Sequence, residues 1–249
     1  MISILIGLEF FIPKKRRVYP RMLRWFSNFL IIIINKGFSS LLLLIPIFSI
    51  SPPFRGLFNI IELPILLEAI LGFLVLDVII YFQHRIFHVL PILWDIHRMH
   101  HTDRDLDFTS ALRFHPFEIV IPMSVKLFTV WFFGIDPFTF IVFEISLNSF
   151  AMFNHGNFSI NEKVEKVLRL FIITPDIHRI HHSVILHECN SNYGTIFTIW
   201  DYLFKSLNLI AEKGQDGLVI GLPGYKDKKF QQINWMLITP FIQRGAKNV

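Results

Sequence analysis

Cysteine is nearly absent. The 249 residues hold one, Cys189, so no intrachain disulfide can form and a thiolate metal cage is excluded. Charge is scarce too, at 17% of residues against about 25% in an ordinary soluble domain. No Gly-x-Gly-x-x-Gly stretch occurs, which removes the usual flavin and nicotinamide fingerprint, and no His-Glu-x-x-His, which removes the zinc-protease signature. The apolar start, residues 1–12, has no leading basic region and no small-residue cleavage site. It is expected to be a helix end or a short interfacial segment, not a cleaved signal peptide.

What takes the place of charge is apolar surface: 53% of residues are hydrophobic and the mean hydropathy is +0.50. A chain of this length suits one domain or one membrane bundle, and so apolar a composition is expected to face lipid. The net charge of +5 is concentrated in Lys14, Lys15, Arg16, Arg17, Arg21 and Arg24, just before an apolar stretch. That placement fits the cytoplasmic flank of a membrane segment. No aromatic residues alternate with the charges as a nucleic-acid surface would require, so no nucleic-acid partner is expected.

The expected fold is all-α: an integral-membrane helical bundle of about four crossing helices, multi-pass, under a cytosolic helical cap. It is read as one membrane domain over 1–249, with N-terminal membrane helices in 22–88. Within that stretch, 22–50 crosses once or breaks near Gly37 into a hairpin, since Lys36 is awkward in a span. Residues 65–88 form one helix that carries His84 and His88 out to the interface. A first histidine-bearing cap segment covers 89–116, and 117–153 forms a membrane hairpin turning at Gly134-Ile135-Asp136-Pro137. The second cap segment and the tail fill 154–249. A hairpin returns the chain to the side it left, so His115 and His155 are expected at one membrane face.

All eleven histidines fall between His84 and His187. His84 and His88 are four apart, as are His97 and His101, with His100 beside them; His178, His181 and His182 repeat the pattern. On a helix such rings share a face. Clustered neutral imidazoles suit a transition metal such as iron, zinc, copper or nickel. Eight or nine convergent rings exceed the four ligands of one structural zinc, so two metal ions are expected. His155 follows the hairpin at the right end to join them. His115, between Arg113 and Pro116, is expected to cap the next helix or to support a ligand, and His187 to be incidental. Asp77 and Tyr81 share a helical stripe with His84 and His88, where a carboxylate could orient an imidazole or simply face a polar cavity. Glu118 and Glu144 raise the same question.

At this point the chain resembles the sterol desaturase/fatty acid hydroxylase superfamily. The resemblance runs through DVIIYFQHRIFH (77–88), LWDIHRMHH (93–101), TSALRFHPFE (109–118), NHGN (154–157), TPDIHRIHHS (174–183), NYG (192–194) and WDYLF (200–204), within roughly 60–240. In place of the Phe-Gly-Thr usual in that superfamily, the last motif continues as Phe204-Lys205-Ser206. The resemblance implies a membrane enzyme with a cytoplasm-facing di-iron site. It would use O2 and external electrons to hydroxylate or desaturate a lipid-like substrate: fatty acyl, sterol-like, alkyl ether or carotenoid. It makes His84, His88, His97, His100, His101, His178, His181 and His182 the ligand boxes and His155 an additional ligand, with Asn154 and Asn192 among the supporting residues. With no nucleotide fingerprint in the chain, electrons are expected from a separate reductase, cytochrome or ferredoxin, and the substrate from the bilayer. Two other classes bear on the same histidines. A membrane metal-binding or metal-transport protein would place its ligands at mid-membrane, and a haem electron-transfer protein would need isolated axial pairs, not triplets.

Overall fold

A computed structural model describes residues 1–42 and 56–242. Among them no β-strand forms, only isolated bridges such as Ile172 with Phe197 and Ser183 with Ile220. The helices are α1 (Ile2–Phe11), α2 (Arg21–Leu42), α3 (Leu57–Ile61), α4 (Ile65–Val89), α5 (Pro91–His101), α6 (Pro116–Phe133), α7 (Pro137–Asn154), α8 (Glu162–Leu168), α9 (Pro175–His181), α10 (Leu186–Cys189), α11 (Ile199–Leu203), α12 (Gly214–Gly217) and α13 (Ile233–Ile238).

Proline marks the starts of the helices that matter most. Pro91, Pro116, Pro137 and Pro175 open α5, α6, α7 and α9, where a missing N–H costs nothing and a fixed φ is already helical. His115, Asp136 and Thr174 precede three of them and accept main-chain N–H groups as caps. The α6–α7 turn closes through Gly134, whose φ of 73° is left-handed. A Cβ there would stand 2.1 Å from Asn59 Oδ1, so glycine is required on two counts.

By length and composition α4 and α6 can each cross a membrane. α7 matches α6 in length but carries Glu144, Asn148 and Asn154. Large apolar side chains are exposed on the first half of α4 (Ile65, Leu66, Ile70), the second half of α6 (Phe128, Phe132) and the first half of α7 (Phe138, Ile141, Ile145). α6 and α7 form a hairpin, so their exposed halves lie together at its turn. The opposite end holds the buried polar residues His115, Glu118, Asn154 and His155. Between the helices a small apolar core of Phe58, Leu76, Ile135, Phe143 and Ile196 joins α3, α4 and the hairpin.

Two expectations for the N-terminal region change. α2 runs unbroken through Lys36 and Gly37 to Leu42, so there is no break at Gly37; residues 43–50 lie outside the described part. Arg24 is not a surface charge at a membrane flank. It is fully buried, bonded by Nε and Nη2 to Asp103 at 3.0 and 2.6 Å and by Nη1 to Asp107 at 2.5 Å. Lys14 pairs with Asp176 and Lys15 donates to the carbonyl of Leu218. Part of the basic cluster therefore binds the cap to the N-terminal helices, which contiguity in sequence does not disclose.

A candidate metal centre of nine histidines

The nine histidines come together from three helices and two helix ends. The last turns of α4 bring His84 and His88. Leu90, extended at φ −86° and ψ 120°, ends α4 and starts α5, which turns His97, His100 and His101 back against them. His155 terminates α7. α9 and its end residue add His178, His181 and His182.

They sort into two groups. His84, His88, His97, His101 and His181 form one; His100, His155, His178 and His182 form the other. Within each, one ring nitrogen per residue lies within 4.8 Å of all the others. Zinc–nitrogen and similar bonds are about 2.0–2.1 Å long, so nitrogens this close fit round one ion per group after small adjustments.

The outer nitrogens settle which atom faces inward. In the first group His84 Nδ1 lies 2.8 Å from the Tyr193 carbonyl and His181 Nδ1 2.7 Å from that of Ser191. His88 Nδ1 lies 3.3 Å from Asn190 Oδ1, and His97 Nδ1 2.5 Å from Glu118 Oε1. Each acceptor takes a proton from Nδ1, which leaves Nε2 as a bare lone pair. His101 Nδ1 faces the Cys189 sulfur at 3.8 Å. The Nε2 atoms of His84, His88 and His181 are buried with no hydrogen-bond partner. In the second group His155 Nδ1 donates to the Ala151 carbonyl, and its Nε2 sits 3.0 Å from the Nε2 atoms of both His100 and His178. Inward nitrogens crowded at such distances are well placed to share a cation. The donor set fits two transition-metal ions.

Burial also keeps the rings in the binding form. His100, His101, His178, His181 and His182 are held well below the ordinary imidazole range, first by desolvation and then by neighbouring imidazoles. They are neutral at pH 7.

The supporting residues fall differently from expectation. The carboxylate that meets an imidazole is Glu118, in the first turn of α6. Asp77 instead accepts from Trp200 Nε1 at 2.6 Å, tying α4 to α11, because it sits two turns before His84. Tyr81 is bonded to Ser206 Oγ at 2.7 Å. His115 caps α6 through Phe117 N and has no place among the nine, and Asn154 donates to the Thr195 carbonyl. His187 is exposed. Asn192 is left-handed at φ 55° and is fastened to Ile177 and Asn208, which turns the carbonyls of Ser191 and Tyr193 onto His181 and His84. Asp201 supports the same loop by accepting the N–H groups of Tyr193 and Gly194, both at 2.8 Å. Sequence reading assigned no role to Asp201 or to the carbonyls of Ser191 and Tyr193; the only signal was their presence in the NYG and WDYLF motifs. Lys205, where the superfamily has glycine, also takes a left-handed φ of 56°, and Ser206 keeps a hydroxyl, donating it to Asp201. The departure thus keeps the backbone shape at some strain.

Glu118→Gln is expected to weaken metal binding about 10–100-fold, the usual cost of losing an outer partner of a ligating histidine. Competition against a chelator checks this, and an unchanged affinity would remove Glu118 from the site.

A cavity of about 300 Å³ opens beside the histidines and runs between α4, α6 and α7. His84, His97, His100, His155 and His178 line one end; Ile80, Phe87, Ile119, Met123 and Leu147 line its flanks.

Comparisons with known proteins agree with this geometry. The chain is 26% identical over 186 residues to an ornithine lipid hydroxylase from Rhizobium tropici, covering 75% of this chain and 54% of the relative. It is 28% identical over 166 residues to human alkylglycerol monooxygenase, covering 64% and 35%. Mouse lathosterol oxidase is 26% identical over 175 residues, covering 67% and 55%. The chain thus spans roughly a third to just over half the length of these relatives. No solved structure matches it. The fatty acid hydroxylase family is matched over residues 69–206, more than half of the sequence, and the chain belongs to that family, within the sterol desaturase/fatty acid hydroxylase superfamily.

Proposed function

We propose that this chain is a membrane-embedded di-iron oxygenase that hydroxylates or desaturates a lipid-like amphiphile, with its site at the cytoplasmic face. One observation carries the reading: nine imidazoles in two groups, eight buried and His84 partly so, their inward nitrogens lacking any partner but one another. His84, His88, His97, His101 and His181 would hold one iron, and His100, His155, His178 and His182 the other. Iron bound there supplies the activation of O2 and the oxidation of an unactivated C–H bond. The protein does the rest. Glu118 holds the Nδ1 proton of His97, and the Ser191 and Tyr193 carbonyls hold those of His181 and His84. The cavity presents apolar walls that align a hydrocarbon chain and keep water from the oxidised carbon.

The whole chain is read as one membrane domain of about four crossings, since α2 and α7 flank the two apolar helices. The exposed apolar halves of α4, α6 and α7 would lie in the bilayer and deliver substrate sideways into the cavity. Relatives named for ornithine lipids, alkylglycerols and lathosterol support a lipid substrate. Electrons would come from a separate reductase, cytochrome or ferredoxin. Metal analysis and Mössbauer spectroscopy of the purified chain should find two irons, and O2 uptake should follow addition of an alkylglycerol or an ornithine lipid. Bound metal that moves across vesicle membranes without O2 consumption would establish the transport reading instead.

A further inference from the structure

Charge inside a membrane helix is expensive and marks a functional place. Lys126 lies in α6, its side chain 6% exposed, and forms an ion pair with Glu144 of α7, whose side chain is 25% exposed. Both line the cavity that starts at the histidines. Glu118, against His97, precedes Lys126 by eight residues, so at 1.5 Å per residue Lys126 stands about 12 Å along α6 from Glu118. Ile119, Pro122, Met123 and Leu147 line the stretch between, with the polar Asn148 one turn from Glu144. An ion pair serving only to hold two helices has no advantage over apolar side chains of similar volume, which avoid desolvation. This pair faces open space.

The pair presents an N–H donor and a carboxylate acceptor side by side with no net charge. A carboxylate ligand would meet Glu144 and an ammonium would meet Lys126. A hydroxyl satisfies both, accepting from Nζ and donating to the carboxylate. Resting on the oxygenase reading for its substrate, the geometry points to Lys126 and Glu144 as a specificity-determining pair that binds a neutral hydroxyl on the substrate's chain. The carbon to be oxidised then lies at the histidine end of the cavity, about two turns of α6 from that hydroxyl.

The test is binding, with metal content measured in parallel on the same full-length protein in detergent. Radiolabelled 1-tetradecanol, n-tetradecane and tetradecanoate are partitioned against protein-free micelles. The alcohol is expected to bind about tenfold more tightly than the other two, as one hydrogen bond to a charged group allows. The K126M/E144L double variant should bind alcohol and alkane alike. Glu144→Gln, which leaves Lys126 unneutralised, should turn the preference towards tetradecanoate and serves even if the apolar variant does not fold. No preference for the alcohol in the wild type, or a preference untouched by these substitutions, would overturn the assignment. A chain lacking iron but keeping the alcohol preference would remove the oxygenase reading and leave the hydroxyl site standing.

Discussion

Replacing His88 and His181 together by alanine is expected to halve the metal content of the purified chain. The two rings belong to the five-nitrogen group, with centroids 4.7 Å apart, and both Nε2 atoms are buried without a partner. Their removal leaves that group with three imidazoles and the other intact. The His155→Ala/His178→Ala variant should lose the other half, because it takes two of four ligands and breaks the chain of Nε2 contacts that joins His100 to His178. Elemental analysis per mole of protein reads both results. Oxygenase activity should fall by more than about a hundredfold in each, since losing an outer partner alone costs about 10–100-fold. Unchanged metal content in both variants would end the two-ion reading.

The largest effect on stability should come from Arg24→Met. Arg24 is fully buried and neutralises two buried carboxylates, so its loss strands both, at a cost of about 3–5 kcal/mol. The acid dependence identifies the cause. Arg24 and Arg113 hold the Asp103 carboxyl below its ordinary 3.8, at about 2, despite its burial. A carboxyl lowered on folding adds stability that is complete above pH 4 and is lost as pH falls towards 2. In the variant Arg113 alone remains to lower Asp103, so that contribution shrinks and the gap between the two proteins should narrow from pH 4 downwards. Denaturant unfolding in detergent between pH 3 and pH 7 measures it. A gap constant with pH would assign the loss to packing alone.

The histidines were legible because helical spacing is local: four residues separate His84 from His88 and His97 from His101, and a helix does the rest. The positions of α4, α6 and α7 were legible from apolar runs bounded by proline and by Gly134. The partners of the histidines were not. Glu118 lies 21 residues from His97, and Tyr193 lies 109 residues from His84, so their pairing depends on how helices stack. The stripe from Asp77 to His88 was a sound local inference, but it could not show that Trp200 would claim the carboxylate. Basic residues clustered by position were read as one membrane flank, whereas the fold gives Lys14, Lys15 and Arg24 separate acidic and carbonyl partners.

The loop at Asn192 has a consequence for how this protein can change. The groups that dictate which nitrogen of His84 and His181 carries the proton are peptide oxygens, common to every amino acid. Altering the side chain at 191 or 193 cannot delete them. Genetic variation reaches this control through the residues that shape the bend, Asn192 and Asp201 among them. Random mutagenesis should therefore find loss of function at Asn192 and Asp201, and at Gly194, where a Cβ would stand 2.8 Å from the Phe197 carbonyl oxygen.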